Sequence, residues 1–231
     1  MPLVSSILKV AHSERWCDMK KRLKLGSLFD GIGGFTLAAQ RCGIKTLWAS
    51  EIEPAAISIT KRHFPNIVHL GDITQIDGGK IAPVDIISFG SPCQDLSAAG
   101  TQKGLVGERS GLFLHAVRII NEMRYATNGK YPSFIIWENV PGAFNSNGGA
   151  DFRAVIETLT KTRVSIPNSG KWARSGMAGA GRGGANIAWR QFDSQYWGND
   201  MLVHKGITFD EYAENDPKDI RHYLIKCWGG F

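Results

Sequence analysis

An α/β fold with a mostly parallel sheet and helices on both faces is predicted for this 231-residue chain by three observations. Short apolar runs alternate with helix-period segments from about Leu23 to Thr160. The runs are continuously apolar, as strands buried on both faces are. Each run ends in a glycine turn or a carboxylate, at Asp30, Glu51, Asp72, Gly90 and Glu138. In a parallel sheet, ligands sit at the carboxyl ends of the strands, so these residues converge on one rim.

The elements follow in order. Residues 25–29 read as a buried strand entering the tight turn Asp30-Gly31-Ile32-Gly33-Gly34. A helix over 35–42 is stopped by Gly43. A second strand, 46–50, ends at Glu51, and a second helix, 54–63, opens with Pro54, a residue suited to a first helical turn. The third strand spans 67–70 and leads to Gly71-Asp72; the fourth spans 85–89 and leads to Gly90-Ser91-Pro92-Cys93. An amphipathic helix covers 111–124, a fifth strand 134–137 ends at Glu138, and a helix follows over 151–160. Beyond Val164 the pattern weakens. Residues 169–184 are glycine-rich and carry Lys171, Arg174 and Arg182, which reads equally as a flexible connector or as a nucleic-acid contact. A further strand is expected within 188–196. From Asn199 the composition turns acidic, and the tail reads as a short helix or a poorly anchored segment.

Composition narrows the class. A hydrophobic fraction of 43% and a charged fraction of 21% are those of a soluble globular chain able to bury a core. No stretch approaches the ~20 apolar residues of a membrane span. The first 21 residues lack the apolar run of a secretory signal and read as an extension before the fold. A net charge of +6 permits a polyanionic partner without requiring one. Cys17, Cys42, Cys93 and Cys227 show no paired metal-ligand spacing, so no metal is expected, and free thiols in a reducing cytoplasm are the simplest reading.

The glycine turn departs from the GxGxxG phosphate cradle. With Glu51 placed to accept ribose hydroxyls and Asp72 an adenine amino group, the set suits an adenosine without phosphates. A plain strand–helix turn also explains the glycines. Cys93 follows Pro92 in a loop after a strand, and the polar, glycine-containing residues 94–109 are able to close over a substrate. Its thiolate is a nucleophile, although a lone cysteine is more often an inert apolar residue. Glu138, after an apolar strand, is positioned to hydrogen-bond or protonate a ring nitrogen.

Together these residues resemble the C5-cytosine DNA methyltransferase family. Leu28-Phe29-Asp30-Gly31-Ile32-Gly33-Gly34-Phe35, Glu51, Gly71-Asp72-Ile73, Gly90-Ser91-Pro92-Cys93-Gln94-Asp95-Leu96-Ser97, Gly107-Glu108-Arg109-Ser110-Gly111-Leu112-Phe113 and Glu138-Asn139-Val140 look like its successive motifs. The resemblance covers about 23–198 and implies a Rossmann-like methyltransferase fold with S-adenosylmethionine as cofactor. It implies Cys93, Glu138 and Arg109 as catalytic residues, and Gln94 and Ser97 in the catalytic loop. Cofactor contacts are implied for Phe29, Asp30, Gly31, Ile32, Gly33, Gly34, Glu51, Ile52, Asp72, Ile73, Pro92 and Leu112. Double-stranded DNA is the implied substrate, with the target cytosine flipped out, in a restriction–modification or phage setting; a tRNA-modifying branch of the family is the RNA alternative.

The resemblance breaks after Gln195-Tyr196-Trp197-Gly198, where an arginine-rich motif is expected and Asn199-Asp200-Met201-Leu202 stands. The expected organisation is an extension over 1–22, a partial catalytic domain over 23–198 and a divergent tail over 199–231. No last core strand or recognition domain is legible, so the sheet is expected to be truncated, with an apolar edge open to aggregation. A split enzyme completed by a second polypeptide and an inactive remnant that binds cofactor or DNA alone both fit this pattern.

Overall fold

The computed structural model describes residues 22–91 and 111–192, together with the backbone of Cys227–Gly230. Eight strands form one sheet in the order β3-β2-β1-β4-β5-β8-β7-β6. Strands β1 (Lys24–Leu28), β2 (Lys45–Ser50), β3 (Val68–His69), β4 (Ile86–Phe89) and β5 (Phe134–Trp137) run parallel. Helices α1 (Gly34–Arg41), α2 (Pro54–His63), α3 (Leu112–Ala126) and α4 (Ala150–Thr160) connect or follow them. The remaining strands, β6 (Ser175–Ala178), β7 (Asn186–Arg190) and β8 (Cys227–Gly230), are antiparallel to their neighbours.

Alternation along the strands builds two cores. Leu25, Ile86 and Ile136 face one side and pack with Leu37, Ala38 and Ala39 of α1. Leu28, Ile87, Phe89, Ile135 and Trp137 face the other and pack with Phe113, Ile120, Phe152 and Ile156 of α3 and α4. The central strands β4 and β5 are apolar at every position but Ser88, as a sheet covered on both faces requires. Gly26 is fixed by packing: a Cβ there would lie 2.1 Å from the ring of Trp48, which is 1% exposed.

Two sequence expectations need correction. The glycine-rich stretch 169–184 is not wholly loop, since β6 lies within it; Gly176 leaves room for the indole of Trp189 on β7, which would stand 2.3 Å from any Cβ. The tail reading also missed a strand. β8 pairs with β5 through Phe134↔Gly230 and Ile135↔Gly229, and with β7 on its other side, so β5 is not an open edge. A strand ending in two glycines gives little local strand signal, and the pairing partners supply the order instead. No helix among the described residues is long and apolar enough to cross a membrane.

The chain order reverses between β1 and β4, which lie side by side although β2 and β3 intervene in sequence. Such a switch point opens a crevice beyond the carboxyl ends of the two strands. The turns after β1 and β4 therefore meet there.

Candidate active site

After β1 the chain turns sharply. Phe29, Gly31 and Gly33 all have positive φ, and the Gly33 N–H closes the turn on the Asp30 carbonyl at 3.0 Å. Cβ atoms built on Gly31 or Gly34 would meet nothing within 4 Å, so both face open space. Gly33 is enclosed, 3.0 Å from Thr60 and Phe64. Gly31 and Gly34 thus leave an accessible backbone, and Gly33 lets helix α2 pack close.

Two carboxylates hold this turn. Glu51 Oε2 accepts the Gly31 N–H at 2.9 Å, while Oε1 accepts from Ile52 and Glu53 at 2.8 and 2.9 Å. Three backbone donors therefore orient one carboxylate against the glycine turn. Asp30 is 5% exposed; Oδ1 accepts from Thr36 Oγ1 at 3.3 Å, and Oδ2 has no hydrogen-bond partner. Burial pushes the Asp30 carboxyl up to about 6; the nearby Ser27 hydroxyl and then that of Thr36 oppose the rise, and the neighbouring Glu51 charge adds to it.

This shift sets a pH dependence. Between 3.8 and about 6 the folded chain holds a proton that the unfolded chain has released, so stability falls as pH rises through that window. Above it, the ionised buried group costs the fold up to about 3 kcal/mol. Asp30→Asn is expected to flatten this dependence and to stabilise the ligand-free protein near neutral pH by about 1–2 kcal/mol, since its amide N–H would still lack a partner. Urea midpoints of both proteins across the window check this; parallel curves would contradict it.

Asp72 is exposed at the end of β3 and caps a short 3-10 turn, with Oδ1 accepting the Thr74 N–H at 2.8 Å. Ile73 belongs to the core at 3% exposure. Ile32 and Ile52, in contrast, are 46% and 70% exposed, apolar side chains beside the glycine turn and Glu51. Leu112 opens α3 and packs partly against the core.

The segment after Asp72 is clamped by a group that sequence reasoning missed. Arg118 of α3 donates to the carbonyls of Ile73 and Ile76 at 3.0 and 2.7 Å and pairs with Glu122 at 2.9 Å. Glu122 Oε2 in turn accepts the Gly78 N–H at 2.7 Å. An Arg and Glu four residues apart on a helix look like a solvated surface pair from sequence alone.

On the other side of the switch point, β5 delivers three consecutive residues to the end of β4. The Glu138 N–H donates to the Phe89 carbonyl at 2.9 Å, continuing the ladder past both strands. Glu138 is half-buried, and a Cβ on Gly90 would lie 3.3 Å from its Oε2. Trp137 Nε1 donates to Ser91 Oγ, and Asn139 Nδ2 to the Ser91 carbonyl, both at 3.1 Å. The structure thus brings Glu138 beside Gly90, two residues before Pro92, while its chain neighbours Trp137 and Asn139 hold Ser91. Pro92, Cys93, Gln94, Ser97 and Arg109 lie outside the described residues.

The strand order, the glycine turn after β1 and carboxylates after β1, β2, β3 and β5 define a Rossmann-like methyltransferase fold. The chain belongs to the C-5 cytosine-specific DNA methylase family, whose pattern matches residues 23–163. It is similar to a DNA N-6-adenine-methyltransferase of Escherichia phage P1, 30% identical over 204 residues, with 77% of this chain and 27% of that protein covered. It is also similar to the Type II methyltransferase M2.BsuMI of Bacillus subtilis, 29% identical over 198 residues, covering 86% of this chain and 44% of that protein. Among solved structures, the S. pombe Dnmt2 methyltransferase superposes with a TM-score of 0.45, with 26% identity, covering 60% of this chain and 42% of that one. The chain spans less than half the length of these relatives.

Proposed function

We propose that the chain transfers a methyl group to C5 of a cytosine flipped out of double-stranded DNA. The observation that carries this reading is the convergence of Glu138 with the root of the Pro92-Cys93 segment across the β4–β5 ends. Cytosine C5 is a poor nucleophile. Attack of the Cys93 thiolate on C6 makes C5 electron-rich, and Glu138 stabilises the charge that develops at N3. S-adenosylmethionine, when bound, supplies an electrophilic methyl group to that carbon. Loss of the C5 proton then expels Cys93 and restores the ring. Arg109 orders the loop around the adduct in this reading. Holding a flipped base between these groups supplies much of the rate.

The residues after β1 and β2 fit that cofactor. Gly31 and Gly34 leave an open backbone face, and Asp30 keeps a buried oxygen without a partner. Glu51 Oε2 has a lone pair left for a ribose hydroxyl, Ile32 and Ile52 offer apolar surface to an adenine ring, and Asp72 can accept from its amino group. Phe29, Gly33, Ile73, Pro92 and Leu112 complete the proposed contact set, with Gln94 and Ser97 in the closing loop and no metal in the chemistry. The exposed Lys171, Arg174 and Arg182 suit a phosphate backbone.

Adenine is the base named for the phage P1 relative, of which 27% is matched. An exocyclic amine is itself a nucleophile and has no need of an enzyme thiol, so Pro92-Cys93 and Glu138 favour cytosine. The test is incubation of the purified protein with labelled S-adenosylmethionine and, in parallel, unmethylated DNA or tRNA, followed by nucleoside analysis. 5-Methylcytosine is the expected product; label in N6-methyladenine, or in tRNA only, would overturn the reading. A second polypeptide supplying base recognition is part of the proposal, and transfer is expected to rise when the product of the neighbouring reading frame is added.

A further inference from the structure

We infer that Trp137 is a positioning residue for the nucleophile, acting through the Ser91 hydroxyl; this rests on the function proposed above. Trp137 is 4% exposed and held on two sides by aromatic rings, stacked on Phe152 at 6.2 Å and edge-on to Phe113 at 5.9 Å. Its indole has one polar atom, and that atom donates to Ser91 Oγ at 3.1 Å in a buried hydrogen bond. Ser91 is itself 4% exposed and stands one peptide bond before Pro92. The ring cannot rotate away without breaking its stacking, and the hydroxyl has no solvent to turn to. The indole therefore fixes where the backbone leaves β4 at Ser91, the residue to which Pro92 and Cys93 are joined in sequence. Asn139 holds the carbonyl of the same residue, so the departure point is fixed from its side chain and its backbone together.

A phenylalanine at this position keeps one stacked ring but loses the donor and part of the indole volume, whereas Ser91→Ala removes the acceptor and leaves the indole whole. That separates packing from positioning. Hydrogen exchange in Trp137→Phe, Ser91→Ala and the double variant is the primary measurement. One net hydrogen bond predicts that the Gly90 and Ser91 amides exchange about fivefold faster in each single variant. The double variant should be no faster than either single one, and amides of β1 and β2 should be unchanged. Additive effects, unchanged exchange at Gly90 and Ser91, or equal acceleration throughout the sheet would overturn the inference. In the methyl-transfer assay the same variants are expected to lower kcat about fivefold and leave KM for the cofactor unchanged, whereas a KM effect alone would count against positioning. Absence of Cys93-dependent transfer in the wild-type protein would sink the proposed function and with it the catalytic purpose of the contact, while the exchange result would still decide whether the contact fixes the strand end.

Discussion

Glu138→Gln is expected to lower methyl transfer by about 10²–10⁴-fold, the usual contribution of a positioned acid or base, and Cys93→Ala to reduce it to background. The glutamine is nearly isosteric, so the folded structure should survive. The Glu138 N–H bond to Phe89 and the space left by Gly90 do not depend on the carboxylate charge. What changes is the ability to exchange a proton with a ring nitrogen and to follow its charge through the reaction. An amide can donate a hydrogen bond to N3 but cannot supply a proton. Initial rates at saturating cofactor and DNA, with urea midpoints on the same samples, check the prediction. A Glu138→Gln protein with wild-type turnover would remove Glu138 from the chemistry. A protein that loses activity and stability together would instead assign it a structural role.

The site's outline was legible because parallel strands advertise themselves. Five short strands followed by glycine or a carboxylate place their terminal residues on one rim whatever the details of packing. Helix α2 runs from Pro54 to His63 as expected, since proline sets its first turn. Strand β3 is shorter than expected, only Val68–His69, because it lies at the sheet edge and pairs with β2 alone. What was not legible depends on partners distant in sequence. Trp137 read simply as the last apolar residue of a strand, although a buried indole needs an acceptor and that requirement could have prompted a search for one. Arg118 falls within the amphipathic helix expected over 111–124, but its backbone acceptors belong to a segment between β3 and β4 that no local pattern links to it. Strands β6 and β8 contain Gly176, Gly229 and Gly230, which suppress any local strand signal, and the register comes from Trp189 and from Phe134 and Ile135 instead.

The largest loss of stability is expected from Phe152→Ala, about 3–5 kcal/mol by the usual cost of emptying a buried aromatic site. Phe152 is 2% exposed on α4 and joins parts of the sheet that no single strand joins. It stacks on Trp137 of β5, meets Phe144 edge-on at 4.7 Å, and meets Trp172 and Trp189 edge-on at 5.5 and 5.4 Å. Those tryptophans are not free to fill the space, because Trp172 Nε1 is bonded to the Gly149 carbonyl and Trp189 Nε1 to that of Ala173. A ring locked by its own hydrogen bond cannot move into a cavity without breaking it, which places the cost at the upper end of the range. Phe152→Leu, which keeps most of the volume, should lose less than half as much. Equilibrium urea unfolding of the three proteins measures both differences. Removing Phe152 also withdraws the stacking partner that holds Trp137 against Ser91, so Phe152→Ala should accelerate exchange at Gly90 and Ser91 under conditions where the protein remains folded. A large stability loss with no change at those amides would show that Phe113 alone is enough to hold the indole.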